Sequence, residues 1–417
     1  MYVKDAACCV FGFQENFKIA KRTVKQKTVL ITGATGFLGG YVARELLELG
    51  FRLKLLVGKA KTGAGERFSE IFPAGQAGKY KINTLGSRVE IIEGDASSLY
   101  LGLSALRYFE LAETVDEVFH CAETNEFRKG DALARLNVSG TALISLFCIT
   151  KKIKRLHYIS TAYVSGKSHG AVMEENLEQE QTFNNDYERS KCEAERYLAI
   201  FASQYRVPCT IYRPGIITGD TVTGYTKHCD NIYLFLRELN RLKTRGASDI
   251  NPFLSPLRIP GDKYSTLNLV PVDYVARAVA AIAAQEKSIG KTFHIVNPSP
   301  PTLGELAVWV MAATGNNRIR LTSLHEFRMQ PQSPEEQRLL RRIAVCQPYM
   351  FGEASFDSTN TRRLLSGTGI ECPIITDDLI DRFNHYLVAM NCGENERLAE
   401  IAGGYEYYHS SLDEIVT

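Results

Sequence analysis

From Thr28 onward, short apolar runs alternate with longer amphipathic stretches. Thr28-Val-Leu-Ile-Thr32 is apolar without alternation inside, which predicts a strand covered on both faces. An apolar period of helical spacing then runs from about Phe37 to Leu49 and stops at Gly50. Further strand-length runs lie at 51–57, 89–92, 115–120, 155–159, 209–212 and 292–296. Strands spaced by helical stretches predict βαβ units, and right-handed crossovers then place helices on both faces of a parallel sheet. The expected fold is α/β: a Rossmann-type doubly wound parallel sheet with a smaller, mostly helical C-terminal substrate domain.

Where that rhythm breaks, the chain divides. Residues 28–213 plus 268–297 carry the strand pattern and form the expected nucleotide-binding domain. Residues 214–267, rich in Gly, Pro and Tyr, and the helical stretch 298–392 are assigned to the substrate-binding domain. Residues 1–27 hold six basic and two acidic residues, a basic arm with a charge of +4. Its plain reading is a solvated extension; its sharper one is a docking arm for an acidic carrier protein. Residues 393–417 carry six acids against one Arg, an acidic tail expected to be mobile.

Composition narrows the classes. A length of 417 residues exceeds the usual single domain, in line with two. A net charge of +2 gives no general attraction to nucleic acid. The ten cysteines include no C-x-x-C pair, which argues against zinc or thioredoxin-like chemistry and leaves no metal site to propose. Scattered thiols fit a reducing compartment. The opening residues lack the layout of a secretory signal, and no apolar run reaches the ~20 residues of a membrane span. A cytoplasmic location is therefore expected.

The chemistry begins at Thr32-Gly33-Ala-Thr35-Gly36-Phe37-Leu38-Gly39, between the first strand and the first helix. Gly33 permits a tight turn, Gly36 lets backbone approach a pyrophosphate, and Gly39 lets helix and strand pack closely. The helix N-terminus supplies N–H groups and a positive dipole end. A glycine loop alone is an ordinary turn; its strand-then-helix context makes it a dinucleotide site. The second strand ends without the carboxylate that would hold a ribose 2′-OH, and Lys59, Lys61 and Arg67 follow. That charge pattern favours NADPH over NADH. Asp95, after the third strand, is placed to meet adenine, or equally to cap a helix.

Tyr187-Glu-Arg-Ser-Lys191 puts a phenol and an ammonium on one helical face, entered after Asn184-Asn-Asp186. The copy at Tyr163 and Lys167 is broken by Gly166 and need not share a face. A free phenol titrates near ~10, and a neighbouring ammonium and a positive nicotinamide ring would lower it towards useful acid–base catalysis. Ser160 and Thr161, past the fifth strand, each qualify as a hydroxyl for the substrate oxygen. The plain reading is a surface Tyr/Lys pair, disfavoured by the glycine loop before it.

These segments, with Gly94-Asp95-Ala96, His120-Cys121-Ala122, Asn137-Val-Ser-Gly-Thr141, Tyr212-Arg-Pro214-Gly215 and Val270-Pro-Val-Asp-Tyr-Val-Ala276, resemble the extended short-chain dehydrogenase/reductase superfamily. The Gly-Ala-Thr-Gly-Phe-Leu-Gly loop, the insertion from Arg67 to Arg88 and Leu267–Ala276 are most similar to its thioester reductases. Those are the terminal reductases of nonribosomal peptide synthetases, carboxylic acid reductases and fatty acyl reductases. The resemblance implies catalysis by Thr161, Tyr187 and Lys191, with Ser160 as second choice for the hydroxyl. It implies cofactor contacts from Gly33, Thr35, Gly36, Phe37, Leu38, Gly39, Asp95, Ala96, Cys121, Ala122, Asn137, Lys191, Pro214 and Gly215. It implies NADPH reduction of an acyl thioester, on a carrier protein or coenzyme A, to an aldehyde and, with a second hydride, to an alcohol. The chain departs from the pattern at Gly58, where these reductases often have Arg. The alternatives are another extended reductase, acting on a sugar nucleotide, steroid or free aldehyde, and a non-catalytic NADPH sensor.

Overall fold

The computed structural model describes residues 27–58, 88–123, 134–150, 153–177, 180–245 and 256–390. Lys59, Lys61, Arg67, nearly all of the basic arm and the acidic tail lie outside the described residues.

Seven strands form one sheet: β1 (Thr28–Thr32), β2 (Arg52–Val57), β3 (Val89–Glu93), β4 (Glu117–His120), β5 (Arg155–Ile159), β6 (Cys209–Pro214) and β7 (Thr292–Ile295). All pairings are parallel, in the order β7-β6-β5-β4-β1-β2-β3. Alternate side chains leave a strand on opposite faces, so an apolar run feeds two cores at once. On one face Leu30, Leu56, Ile92, Val118 and Leu156 pack with side chains of α2 (Ala105–Thr114), α3 (Gly140–Thr150) and α4 (Asp186–Tyr205). On the other, α1 (Phe37–Glu48) lies against β1 and β2 and packs on α5 (Val272–Ala283). Parallel strands put every C-terminal end along one edge. The chain winds from β1 outward to β3, then returns to start β4 on β1's other side. The crevice at that reversal is where open α/β sheets bind ligands.

The second compact unit comprises Ile216–Pro271, Asn297–Ala354 and the chain from Pro373. Its core joins three helices: Leu236 and Leu239 from Asn231–Arg245, Leu306 and Val310 from Leu303–Thr314, Ile380 and Phe383 from Asp377–Ala389. Two short parallel pairs accompany them, Ile216–Thr218 with Leu269–Pro271 and Leu257–Pro260 with Ile319–Thr322. Among the described residues no helix is long and apolar enough to cross a membrane.

One segment falls elsewhere than the sequence pattern suggests. Ser355–Cys372, read from its helical pattern as part of the substrate domain, belongs to the unit of the large sheet. Ser355 and Phe356 pair with Ala171 and Val172, and α6 (Thr359–Leu365) packs on α5. The buried Glu174 carboxylate accepts backbone N–H bonds from His294, Asn360 and Thr361, tying the segment down. One acid reaching some 186 residues along the chain leaves no periodic signal in sequence.

Candidate active site

The loops leaving the strands meet along the C-terminal edge of the sheet. Gly33, directly after β1, has φ +74°. A Cβ there would lie 2.5 Å from the Ala122 nitrogen, because the turn presses against the chain leaving β4. Gly39 is close-packed differently: its Cβ would meet the Gly33 carbonyl oxygen at 2.1 Å. Gly36 is exposed, and a Cβ on it would meet one atom, the Gly33 oxygen at 3.0 Å. Gly36 is also the N-cap of α1, with no side-chain cap bond. The three glycines thus divide the work of turn, open crest and close packing. A dinucleotide pyrophosphate fits this arrangement, since an N-terminus without a side-chain cap favours an anion. Thr35, Phe37 and Leu38 are half-buried around the crest. Residues 33–39, together with Lys191, are those that would hold a nicotinamide dinucleotide.

The strand ends on the far side give a mixed picture. Gly58 is exposed at the end of β2, and a Cβ there would meet nothing within 4 Å among the described residues. Asp95 is engaged locally: Oδ1 accepts from the Ser97 N–H and hydroxyl, and Oδ2 from the Ser98 hydroxyl. It organises the turn after β3, while Ser98 is the N-cap of the helical turn beyond. Ala96 is buried beside it. Pro214 ends β6, and the Gly215 N–H bonds to the Ile295 oxygen.

The Tyr/Lys helix forms as its sequence demands. The Asn185 side chain caps α4 by accepting from the Glu188 N–H, and Glu188 in turn accepts from the Asn184 N–H. Tyr187 therefore leaves from the first turn, half-buried, and Lys191 lies one turn deeper, 1% exposed. Lys191 Nζ donates to the Ile159 carbonyl at the end of β5 at 2.6 Å, and stands 4.6 Å from the centre of the Tyr158 ring. Asn137, in a π-helical turn before α3, donates to Ser190 Oγ at 3.0 Å, and Ser190 donates to the Tyr187 carbonyl. It braces the helix from behind. The second copy divides: Tyr163 is buried against Phe356, whereas Lys167 is exposed.

Of the two candidate hydroxyls, Ser160 is committed to structure. It donates to Glu195, which also takes the Arg213 guanidinium through Nε and Nη2. Thr161 Oγ1 accepts from the Tyr163 N–H at 3.3 Å and retains its own proton to donate.

Sequence reasoning missed Glu123, three residues past β4. Its Oε2 lies 2.6 Å from Lys191 Nζ and accepts from Tyr187 OH at 3.4 Å. The expectation of a lowered phenol rested on Lys191 and a positively charged nicotinamide ring and left out Glu123. Here burial first, then the Glu123 charge, pushes Tyr187 well above the ordinary phenol value, and Lys191 opposes them only in part. Burial works against the Lys191 charge, but Glu123 and the phenols of Tyr158 and Tyr187 outweigh it and raise its pKa. The available signal was a carboxylate just past a buried strand at the winding reversal. A neighbouring His120 is held neutral by burial, down to about 3, and bonds Thr32 and Thr141.

The sequence pattern of an NAD-binding family described as Male sterility protein matches residues 31–279. A linear gramicidin synthase from Brevibacillus parabrevis is 27% identical over 373 residues, 86% of this chain and 7% of that protein. A carboxylic acid reductase of Mycobacterium marinum is 27% identical over 304 residues, 68% of this chain and 26% of that one. This chain thus spans a small part of either relative. Among solved structures, the terminal R domain from the myxalamid PKS-NRPS biosynthetic pathway is 28% identical with a TM-score of 0.73, covering 88% of this chain and 92% of that one. The R domain of a nonribosomal peptide synthetase from Mycobacterium tuberculosis shares the fold at 23% identity and a TM-score of 0.67, covering 90% and 96%.

Proposed function

Because this chain belongs to the Male sterility protein family, we propose that it is an oxidoreductase that uses NADPH to reduce an acyl thioester to an aldehyde. The thioester would ride on a carrier-protein arm or on coenzyme A. Supporting this choice of substrate are the relatives, which are a gramicidin synthase and a carboxylic acid reductase. Supporting NADPH is the sequence that follows β2, in which Gly58, Lys59 and Lys61 come where an NAD enzyme would carry a carboxylate.

The observation that carries the reading is that Lys191 reaches the end of β5 and shares Glu123, just past β4, with the Tyr187 phenol, in the sheet whose β1 ends in the glycine loop. Bound NADPH would supply the hydride to the thioester carbonyl carbon. Tyr187 gives its phenolic proton to the carbonyl oxygen. Thr161 donates a hydrogen bond to the same oxygen as charge gathers there. Lys191, anchored by the Ile159 carbonyl, orients the cofactor ribose and carries positive charge beside the phenol. The resulting hemithioacetal breaks its carbon–sulfur bond, releasing aldehyde and thiol.

The test pairs a substrate panel with one substitution. Acyl-CoAs and acyl carriers should drive NADPH consumption with aldehyde as product, whereas sugar nucleotides, steroids and free aldehydes should not dominate. Tyr187→Phe should lower thioester-dependent turnover by about 10²–10⁴-fold, the usual share of a general acid. Turnover near the wild-type rate in that variant would refute the assignment.

A further inference from the structure

Among the described residues, two charged groups act on the Tyr187 phenol, Glu123 and Lys191. Glu123 bridges the pair, 2.6 Å from the ammonium and 3.4 Å from the phenolic oxygen. Its side chain is 34% exposed while Lys191 is 1% exposed, so the carboxylate enters from the solvent side of a buried cation. Among the described residues, the other titratable groups facing the cluster are uncharged or already paired. His120 on β4 is held neutral, at about 3, chiefly by burial. Cys121, between β4 and Glu123, is a neutral thiol pushed up to about 12 by burial and by Glu123. Tyr158 on β5 is raised by burial and stays a neutral phenol. Glu195 on α4 is matched by Arg213 of β6, and Asp186 by Arg189. Glu188 is held in the α4 cap. The charge on Glu123 is therefore what decides how strongly Lys191 acts on the phenol.

We propose that Glu123 is a positioning residue that, by bridging Lys191 and Tyr187, keeps the phenol a proton donor and so tilts this Tyr/Lys site towards reduction. The inference rests on the reading of Tyr187 as the acid. An ammonium acting alone on a phenol favours the phenolate, which accepts protons and suits oxidation of an alcohol. A carboxylate accepting the phenolic hydrogen bond favours the protonated form, which donates. The same carboxylate neutralises Lys191 without displacing it from the Ile159 carbonyl. A group that protonates an acyl oxygen needs the protonated state.

The test reads the phenol directly, in the cofactor-free full chain. Tyrosine labelled with ¹³C at Cζ gives one resonance per phenol, and the signal lost in Tyr187→Phe identifies Tyr187. In Glu123→Gln that signal should titrate about one to two pH units lower than in the wild type, the shift expected of removing a like charge at this distance. Glu123→Asp, which keeps the charge, should restore most of the difference. In turnover, the alkaline limb of the kcat/KM profile should move down by the same interval in Glu123→Gln. A Tyr187 signal titrating at the same pH in Glu123→Gln as in the wild type overturns the proposal. So does a shift of equal size in Glu123→Asp, which would mark the residue as structural. The titration needs no substrate, so it can fail while the Tyr187→Phe turnover test succeeds, or the reverse.

Discussion

A single phenol gains its chemistry from what touches it, and single atoms decide the neighbouring loop as well. Gly39→Ala would drive a Cβ to 2.1 Å from the Gly33 oxygen, a backbone atom that cannot swing aside. It should cost about 1–3 kcal/mol, as overpacking does, read as a lower urea midpoint. Gly36→Ala meets one atom at 3.0 Å, at an exposed crest. It should leave the midpoint nearly unchanged while weakening NADPH binding by about tenfold or more, since the added methyl stands where a pyrophosphate would approach. Equal stability losses in both variants would mean that the crest is a packing site. Ser160→Ala is informative in the other direction. Its hydroxyl serves Glu195 and Arg213, so the substitution should lower stability with little change in KM, whereas Thr161→Ala should lower kcat.

Elements act by fixing where these atoms start. Tyr187 sits in the first turn of α4, and that turn is held by Asn185 and Glu188. Asn185→Ala should cost about 1 kcal/mol of stability in denaturant unfolding, the usual worth of an N-cap. It should also lower kcat more than it raises KM, because the frayed turn is the one that presents the acid. The β2 end offers a gain rather than a loss. Among the described residues Gly58→Arg has open space for its first side-chain atom, and it should bring a guanidinium to the strand end proposed to face a 2′-phosphate. Titration should show NADPH binding tightened by about tenfold with NADH unchanged. Equal effects on both cofactors would remove the 2′-phosphate from that strand end.

At the scale of the whole molecule, buried histidines set the acid limit. Burial comes first among the causes that push His157 down to about 4, and His120 and His294 down to about 3, against 6.5 in an unfolded chain. Their folded values lie below the unfolded one, so on acidification the unfolded chain takes up protons first. Stability should therefore fall from pH 6.5 towards 4, by up to about 1.4 kcal/mol per pH unit for each histidine still neutral in the fold. Glu117 adds to this lower down. Burial opposes its charge, but His157 and Lys27 hold it down to about 2. That contribution is complete above 4.5 and is lost as pH falls to about 2. Urea midpoints measured from pH 8 to 4 check the first window; a flat profile would mean that these imidazoles are solvated.

Apolar periodicity was enough to predict the strands of the large sheet in chain order, their parallel pairing and the helices on both faces. Those features depend on spacing along the chain, and spacing is written in sequence. The partners of each polar group were decided by folding. Glu123 reaches Tyr187 across 64 positions, Ser160 meets Glu195 across 35, and Glu174 holds Asn360 across 186. Such pairs follow no period, because strand order rather than chain distance brings their atoms together. Whether a phenol beside a lysine is acid or base is a property of that neighbourhood, so only the tertiary structure supplies it.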